Sequence, residues 1–502
     1  MTQTPDGPRP GRPRPDGPQP GRPDPARPDL DGGVPDGFVV VVLAADSPVD
    51  RDLDPDRDLR GVLQGSEESG RLLEVLDRLG GPPTSRLLDP AALENARRID
   101  ALLREVDPEG AVRTHRSRTR FWRIDLRDGR ADPERVAAEI AQLPGVDTAY
   151  AEAQVARPPG APAAAPAVMF AQDYLAPAPT GVGADAAWSR PGGRGAGVRV
   201  VDVEEGWRLT HPAIVAKNPS LLPDAARVNR DGIGGFVGDH GTSSVAVVAA
   251  SGTGVRVLGL APDITSLDVC SHYDATTDTD MHVSAAIDQA VLAIGAGDVL
   301  LVEVQRLAAG GVLPTEIDLA DFHAIQDATT LGRIVVEAAG NGFRDVGLWR
   351  HPVSSKRDGE RRLSNDGSPF DSGAIMVGAC WAFDNGVGHG RHADSNFGAR
   401  VDCFAWGEKV ATATATATTA DYTTDFSGTS SASAIIAGVV AVTQGLNLAA
   451  HGVALGPPRM RELMADPAGT PETRPTGTPP TIGYMPDLGG VAAAVDALPA
   501  QR

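Results

Sequence analysis

The sequence has little lysine, cysteine or aromatic side chain. Only three of its 46 basic residues are lysines, and aromatic residues make up 4% of the 502 residues. We interpret the preference for arginine as coding bias. The three cysteines, Cys270, Cys380 and Cys403, are odd in number and scattered. Their spacing matches neither a metal-ligand motif nor a disulfide framework, so we predict that they are small buried hydrophobic residues.

The sequence also lacks an apolar signal segment at its start and, by inspection, a membrane-length apolar run. We therefore expect no membrane association and, as written, a cytoplasmic protein, with secretion as the alternative. The net charge of −20 and the pI of about 4.9 disfavour binding to nucleic acid or to an anionic membrane surface, because both would repel the chain.

Composition divides the chain into four parts. Residues 1–36 repeat Pro, Gly, Arg and Asp, and such a segment cannot bury enough apolar area to order itself, so we predict a disordered tail. Residues 37–157 form a compact unit, residues 158–171 are a linker rich in Pro and Ala, and residues 172–498 form a larger unit.

Residues 37–157 alternate between strand and helix patterns. We predict strands at 38–43, 120–126 and 146–151, and helices at 71–79, 91–106 and 132–143. Asp132 is the expected N-cap of the last helix, and Pro144-Gly145 should end it. This order predicts a small α+β sandwich.

Residues 172–498 alternate in the same way on a larger scale. Short apolar runs predict strands at 197–202, 254–258, 298–302 and 332–336, and helical patterns cover 241–251, 283–295, 320–330 and 430–446. This layout predicts an α/β unit with a mainly parallel sheet flanked by helices. In such sheets functional groups gather at the carboxyl ends of the strands.

Three residues occupy positions of that kind and suit nucleophilic catalysis. Asp202 ends a predicted strand, while His240 and Ser430 each open a predicted helix. A serine hydroxyl is a weak nucleophile that needs an imidazole to take its proton, and the imidazole needs a carboxylate to fix its tautomer. The order Asp, His, Ser along the chain is one of the recurring solutions. We therefore predict a catalytic triad of Asp202, His240 and Ser430.

Asn341 completes the predicted site. It follows the apolar strand at 332–336, where its side-chain amide can donate to a developing oxyanion. The backbone N–H of Ser430, at a helix start, is a natural second donor.

On these motifs the larger unit resembles the subtilase family of serine proteases. The residues that carry the resemblance are the strand ending at Asp202, His240-Gly241-Thr242, Ala338-Ala339-Gly340-Asn341-Gly342 and Gly428-Thr429-Ser430-Ser431-Ala432. The resemblance implies a three-layer subtilisin-like fold and an endopeptidase that works through an acyl-enzyme on a protein or peptide substrate. It implies no required cofactor.

The unit at 37–157 resembles the family's inhibitory propeptide, a small ferredoxin-like domain. This resemblance rests on Leu143-Pro144-Gly145-Val146 and the strand that follows. It implies a self-inhibited zymogen in which the unit is a partner in cis: its C-terminal end lies in the cleft and is then cut in the linker.

The sequence departs from the family around Asp202 and in the cleft. The family has Thr-Gly after its aspartate, whereas Asp202 is followed by Val203-Glu204-Glu205-Gly206, so Glu204 and Glu205 are alternative triad acids. The family's substrate-binding edge, Ser-Leu-Gly, is Glu303-Val304-Gln305 here. We expect these residues, with Ala338, Ala339 and Gly340, to bind substrate as an added strand.

Glu303 has two interpretations. It either lines the cleft and favours a basic residue at the cut site, or forms an ion pair with an arginine, the usual fate of a buried charge. Glu337 raises the same problem, since it lies inside an apolar strand.

Other features leave alternatives open. Residues 274–280 contain three aspartates, and a structural calcium ion there is an alternative to a solvated loop, although no calcium-loop pattern is present. We predict no other metal site. The chain could also be a catalytically silent relative that binds peptides in the cleft, or a protease restricted to one partner.

Overall fold

The computed structural model describes the chain in stretches, at residues 37–45, 58–63, 70–108, 117–129, 131–156, 171–224, 226–233, 236–274, 281–308, 311–349, 363–368, 370–382, 388–416, 419–474 and 482–499. The predicted tail at 1–36, residues 158–170 of the predicted linker and residues 275–280 of the acidic loop lie outside the described residues.

The first unit is a four-stranded antiparallel sheet with helices on one face. Its elements are β1 (Phe38–Leu43), α1 (Leu59–Leu63), α2 (Gly70–Arg78), β2 (Thr84–Arg86), α3 (Pro90–Val106), β3 (Phe121–Asp125), α4 (Pro133–Ile140) and β4 (Val146–Ala151), with a separate short strand, β5 (Gln154–Ala156). The sheet order is β2-β3-β1-β4. All six β1 residues are buried, because successive side chains of a strand point to opposite faces and both faces are covered.

Local chemistry sets the helix ends in this unit as the sequence predicts. The Asp132 side chain accepts a hydrogen bond from the Glu134 N–H at 3.0 Å, which confirms Asp132 as the N-cap of α4. The helix ends at Ile140, three residues earlier than predicted. The chain then turns through Gly145, whose φ of +74° suits glycine, into β4.

The second unit contains a nine-stranded sheet. Its strands are β6 (Arg199–Glu204), β7 (Ser220–Leu221), β8 (Ser266–Ser271), β9 (Val299–Val302), β12 (Ile334–Ala338), β13 (Ile375–Cys380), β14 (Cys403–Trp406), β17 (Thr470–Pro471) and β18 (Tyr484–Met485). Four further strands lie outside this sheet: β10 (Gln305–Ala308), β11 (Gly311–Pro314), β15 (Val410–Ala415) and β16 (Ala420–Phe426). The order of the nine strands is β17-β18-β14-β13-β12-β9-β6-β8-β7, and every neighbouring pair is parallel except β17 and β18.

Helices cover this sheet. They are α5 (Ala184–Trp188), α6 (Pro212–Val215), α7 (Asp239–Ala249), α8 (Val283–Ala293), α9 (Leu319–Thr330), α10 (Gly428–His451), α11 (Pro457–Met464) and α12 (Leu488–Asp496). The predicted parallel sheet with flanking helices is confirmed. We predict no apolar run of membrane length from the sequence, but α10 is long and apolar enough to cross a membrane. In the structure, 89% of its most apolar window is buried inside the protein. It is thus the core helix of this unit.

The prediction of a strand at residues 254–258 is wrong. Residues 254–258 form no strand; the N–H of Leu258 instead donates to the Gln172 side chain at 2.8 Å. The next residue, Gly259, donates to the carbonyl of Ala250 at 2.8 Å, so the segment folds back on the end of α7. These hydrogen bonds, one of which joins residues 86 apart in the chain, take the place of strand pairing, and β8 begins eight residues further on.

The two units share buried contacts. The Arg118 guanidinium, fully buried, donates to Asp288 on α8 at 2.9 and 2.5 Å and to Asp327 on α9 at 2.5 Å. Ile99 and Leu103 of α3 belong to the same apolar core as α8 and α9. The first unit is therefore held to the second by packing and by a charge cluster that water does not reach.

We predict that Arg118→Ala lowers the free energy of unfolding by about 3–5 kcal/mol, because it leaves two carboxyl groups buried without their cation. Urea unfolding followed by tryptophan fluorescence measures the change. Arg78→Ala is the control: its contact with Glu139 at 2.5 Å is exposed to water, so we expect no measurable effect. Equal unfolding curves for Arg118→Ala and wild type would contradict the prediction.

Candidate active site

Three of the four predicted catalytic residues lie at the carboxyl edge of the large sheet. His240 is the second residue of α7, Ser430 is the third residue of α10, and Asn341 lies just beyond β12. These two helices pack against each other, and α10 also packs against β12 and β9. The sheet therefore supplies a rigid platform, and each polar group sits where a strand ends or a helix begins.

His240 pairs with Glu204. Its Nδ1–H donates to Glu204 Oε1, and the other carboxylate oxygen accepts from the Glu205 N–H at 3.2 Å. Both side chains are almost completely buried, and the Phe426 ring packs edge-on against the imidazole. Glu204 thereby fixes the tautomer with Nδ1 protonated, which leaves Nε2 as the basic nitrogen.

Asp202, the predicted partner of His240, is in a different place. It lies inside β6, fully buried, and its Oδ2 accepts from the Trp207 indole N–H at 2.7 Å. Its Oδ1 has no hydrogen-bond partner among the described residues. Burial, and then the charges of Glu204 and Glu303, raise the pKa of Asp202 well above its usual range. The assignment of Asp202 to His240 is therefore wrong.

The reason is that β6 is longer than predicted. It runs to Glu204, two residues past the predicted end, because β8 and β9 pair with it on both sides as far as Val203 or beyond. Residues two apart share a face of a strand, so Glu204 stands above Asp202 at the strand end. The signal was Gly206: the family's Asp-Thr-Gly spacing fits Glu204-Glu205-Gly206.

Glu303 belongs to a buried cluster with Asp202, Glu204 and His240, and it does not form an ion pair with an arginine. It follows β9, is 3% exposed, and its Oε1 accepts from the Ser433 hydroxyl at 2.8 Å. Among the described residues, Oε2 has no hydrogen-bond partner and no arginine forms an ion pair with Glu303. The ion-pair interpretation is wrong, and the preference for a basic residue at the cut site stays a prediction.

The cluster shifts the pKa values of its members. Burial lowers the pKa of His240, but Glu204 and then Glu303 outweigh it and raise the pKa to about 9. Burial raises the pKa of Glu303 to about 8, against the opposing effects of His240 and of the Ser433 and Ser430 hydroxyls. The imidazole is thus a strong base with one close carboxylate and a second one nearby.

Asn341 is held from both sides. Its Oδ1 accepts from the Thr429 N–H at 2.8 Å and from the Thr429 hydroxyl at 3.1 Å. Its Nδ2 donates to Gln305 Oε1 at 3.1 Å. Gly428 allows this approach: its φ is +81°, and a Cβ there would lie 2.9 Å from Asn341 Oδ1. The side-chain amide therefore has a defined orientation next to the start of α10.

The predicted substrate edge is occupied by the chain itself. Strand β10 starts at Gln305 and pairs antiparallel with β5, with Gln305 opposite Ala156 and Leu307 opposite Gln154. The Arg306 guanidinium also donates to the Ala153 carbonyl at 2.7 Å. Val304, Ala338 and Ala339 are buried at the ends of β9 and β12. The C-terminal strand of the first unit thus lies along the edge beside Asn341.

Glu337 and possible metal-binding groups are the other features that the sequence leaves open. Glu337 lies in the core, where Oε1 accepts from the Glu316 N–H at 3.0 Å, and burial followed by the Glu316 charge raises its pKa well above its usual range. Within the described stretches, no group of three or more His, Cys, Asp or Glu side chains could hold a metal ion.

A serine at a helix start, a buried carboxylate–histidine pair and a fixed amide donor are the parts of an acyl-transfer site. On this fold they define a serine endopeptidase. The profile of the Subtilase family matches residues 223–484. The chain belongs to the subtilase family. The match includes His240, Asn341 and Ser430 and begins after Glu204. No curated protein matches the chain.

One solved structure shows the same fold. The crystal structure of fervidolysin from Fervidobacterium pennivorans, described as a keratinolytic enzyme related to subtilisin, has a TM-score of 0.53 at 16% identity over 93% of this chain. The chain covers 61% of that structure's length. The comparison with a protease from Pseudoalteromonas arctica PAMC 21717 gives a TM-score of 0.45 at 19% identity. It covers 64% of this chain and 97% of the chain of that protease.

We predict that Glu303→Gln lowers the pKa of His240, because it removes one of the negative charges that stabilise the imidazolium. In the wild type the ring should stay protonated until the pH approaches about 9. The measurement is a pH titration of the histidine Cε1–H signals by NMR, with the His240 signal assigned from a His240→Gln variant. Glu74→Gln, on the exposed side of α2, controls for a change in net charge. An unchanged pKa in Glu303→Gln would contradict the assignment.

Proposed function

We propose that the chain is a serine endopeptidase whose triad is Ser430, His240 and Glu204. The observation that carries the proposal is the buried hydrogen bond from His240 Nδ1–H to Glu204 at the edge where Ser430 and Asn341 also lie. A carboxylate in that place keeps the proton of the neutral ring on Nδ1, so that Nε2 is the nitrogen that accepts a proton, and it stabilises the charge that forms on the ring during catalysis.

The reaction would proceed by acyl transfer. Ser430 Oγ attacks the scissile carbonyl while His240 Nε2 takes the hydroxyl proton, and Glu204 stabilises the imidazolium. The amide of Asn341 and the backbone N–H of Ser430 donate to the oxyanion. His240 then gives its proton to the leaving amine, and water hydrolyses the acyl-enzyme by the same steps. These steps use only side chains and backbone groups of the chain.

We further propose that the chain is made as a self-inhibited zymogen. Support comes from β5, which pairs with β10 along the edge where an extended substrate would add a strand. The strand runs toward the predicted linker, so the bond to be cut would lie beyond Ala156. The buried Arg118 cluster, and the apolar contacts of α3 with α8, would keep the first unit bound until cutting occurs.

The first test compares the intact masses of the wild-type chain and Ser430→Ala after purification. We expect the wild type alone to lose a fragment ending within residues 157–171, because the nucleophile is needed and the linker should be accessible. If both chains stay intact, self-processing is wrong. A fluorophosphonate probe on the two intact chains then shows whether Ser430 is reactive, and no labelling of the wild type would favour the catalytically silent relative.

The second test distinguishes Glu204 from Asp202. We expect Glu204→Gln to lower kcat by about 10²–10⁴-fold, because His240 loses the acceptor that fixes its tautomer. Asp202→Asn should keep kcat within about threefold, since its side-chain oxygen can still accept from Trp207. Steady-state hydrolysis of a fluorogenic peptide measures both variants. A larger loss in Asp202→Asn than in Glu204→Gln would overturn the assignment of the acid.

A further inference from the structure

Gln305 makes an unusual contact with the proposed oxyanion donor. Its Oε1 accepts both from the Asn341 side chain, Nδ2, at 3.1 Å and from the Asn341 backbone N–H at 3.2 Å. Gln305 is 7% exposed and begins β10, next to Glu303-Val304. One buried oxygen therefore binds two donors of the same asparagine.

These bonds orient the amide completely. Thr429 donates to Asn341 Oδ1, and Gln305 accepts from Nδ2, so the oxygen and nitrogen of the amide cannot be exchanged without losing both contacts. An amide nitrogen carries two hydrogens. Gln305 takes one of them, which leaves the second N–H to donate to the substrate oxygen.

We propose that Gln305 is a positioning residue for catalysis, which acts through Asn341 by aiming its free N–H at the oxyanion. This inference rests on the proposed function. A preorganised donor needs no reorientation when charge develops, and that preorganisation is the source of its effect on rate. A loosely held amide would instead have to find its orientation during each turnover.

The location of Gln305 ties this role to substrate binding. Its backbone pairs with β5 on one side and with β11 on the other, where Gln305 lies opposite Pro314. The pairing on both sides fixes the strand that carries the side chain. A substrate strand that takes the place of β5 would pair with the same residue and hold the Gln305 side chain against Asn341.

The test is a double-mutant cycle on the full chain with a fluorogenic peptide. Gln305→Met keeps the length of the side chain and removes the acceptor. We expect it to lower kcat about tenfold with KM within about twofold, a fraction of the hundred- to thousandfold loss typical of removing the donor. In the Asn341→Ala background the same change should alter kcat by less than about twofold, since there is no amide left to orient.

Three results would contradict the role of Gln305. An unchanged or higher kcat in Gln305→Met, a rise in KM alone, or an equal loss in the Asn341→Ala background would overturn the inference. Melting temperatures check folding, and Gln305→Leu, which also lacks the acceptor, replaces Gln305→Met if that variant does not fold. An inactive wild type, or full activity in Asn341→Ala, would instead refute the proposed function.

Discussion

The hydrogen bond from His240 to Glu204 is buried, and two further carboxyl groups, Asp202 and Glu303, are buried beside it. A buried charge is costly unless it is paired, and the imidazole can compensate only one carboxylate fully. Glu204 is the partner. Burial, and then the charges of Glu204 and Glu303, raise the pKa of Asp202 well above its usual range, and burial raises the pKa of Glu303 to about 8. The arrangement of acids around the site therefore follows from which one reaches the histidine.

The same cluster imposes a compromise on catalysis. A histidine with a pKa raised to about 9 is a strong base once neutral, but at neutral pH most of it carries a proton. Glu204 is the largest cause of the raised pKa, and Glu303 adds to it. Because the pKa of Glu303, about 8, lies in the same range, loss of its charge on protonation would increase the fraction of neutral His240, the form that the proposed mechanism needs.

Much of the site could be predicted from the sequence because its motifs are local. His240, Asn341 and Ser430 each stand at the end of a strand or the start of a helix, and the glycines beside them are needed for close backbone approach. The acid could not be chosen from strand periodicity, although the position of Gly206 favours Glu204. Asp202 and Glu204 lie on one face of the same strand, and only pairing with β8 and β9 decides where that strand ends.

The fold shows the same division between local and distant information. Strands β1 and β4 and the cap at Asp132 follow from neighbouring residues, and the structure has them as predicted. The burial of Arg118 against two helices, 170 and 209 residues further along the chain, has no local signal. The contact of Gln305 with Asn341 has none either, since a glutamine in a strand indicates nothing about the donor that its side chain will meet.

The contacts of β10 bear on how such a zymogen could cut itself. Inhibition by an added strand can work either by distorting the site or by filling the edge of a finished one. Here β5 pairs with the backbone of Gln305 while the side chain of Gln305 holds Asn341 and His240 remains bound to Glu204. The oriented groups are thus assembled with β5 in place. In the proposed zymogen, filling the edge would inhibit the enzyme without distorting the site, and a first cut in cis would then require only that the chain beyond Ala156 reach Ser430.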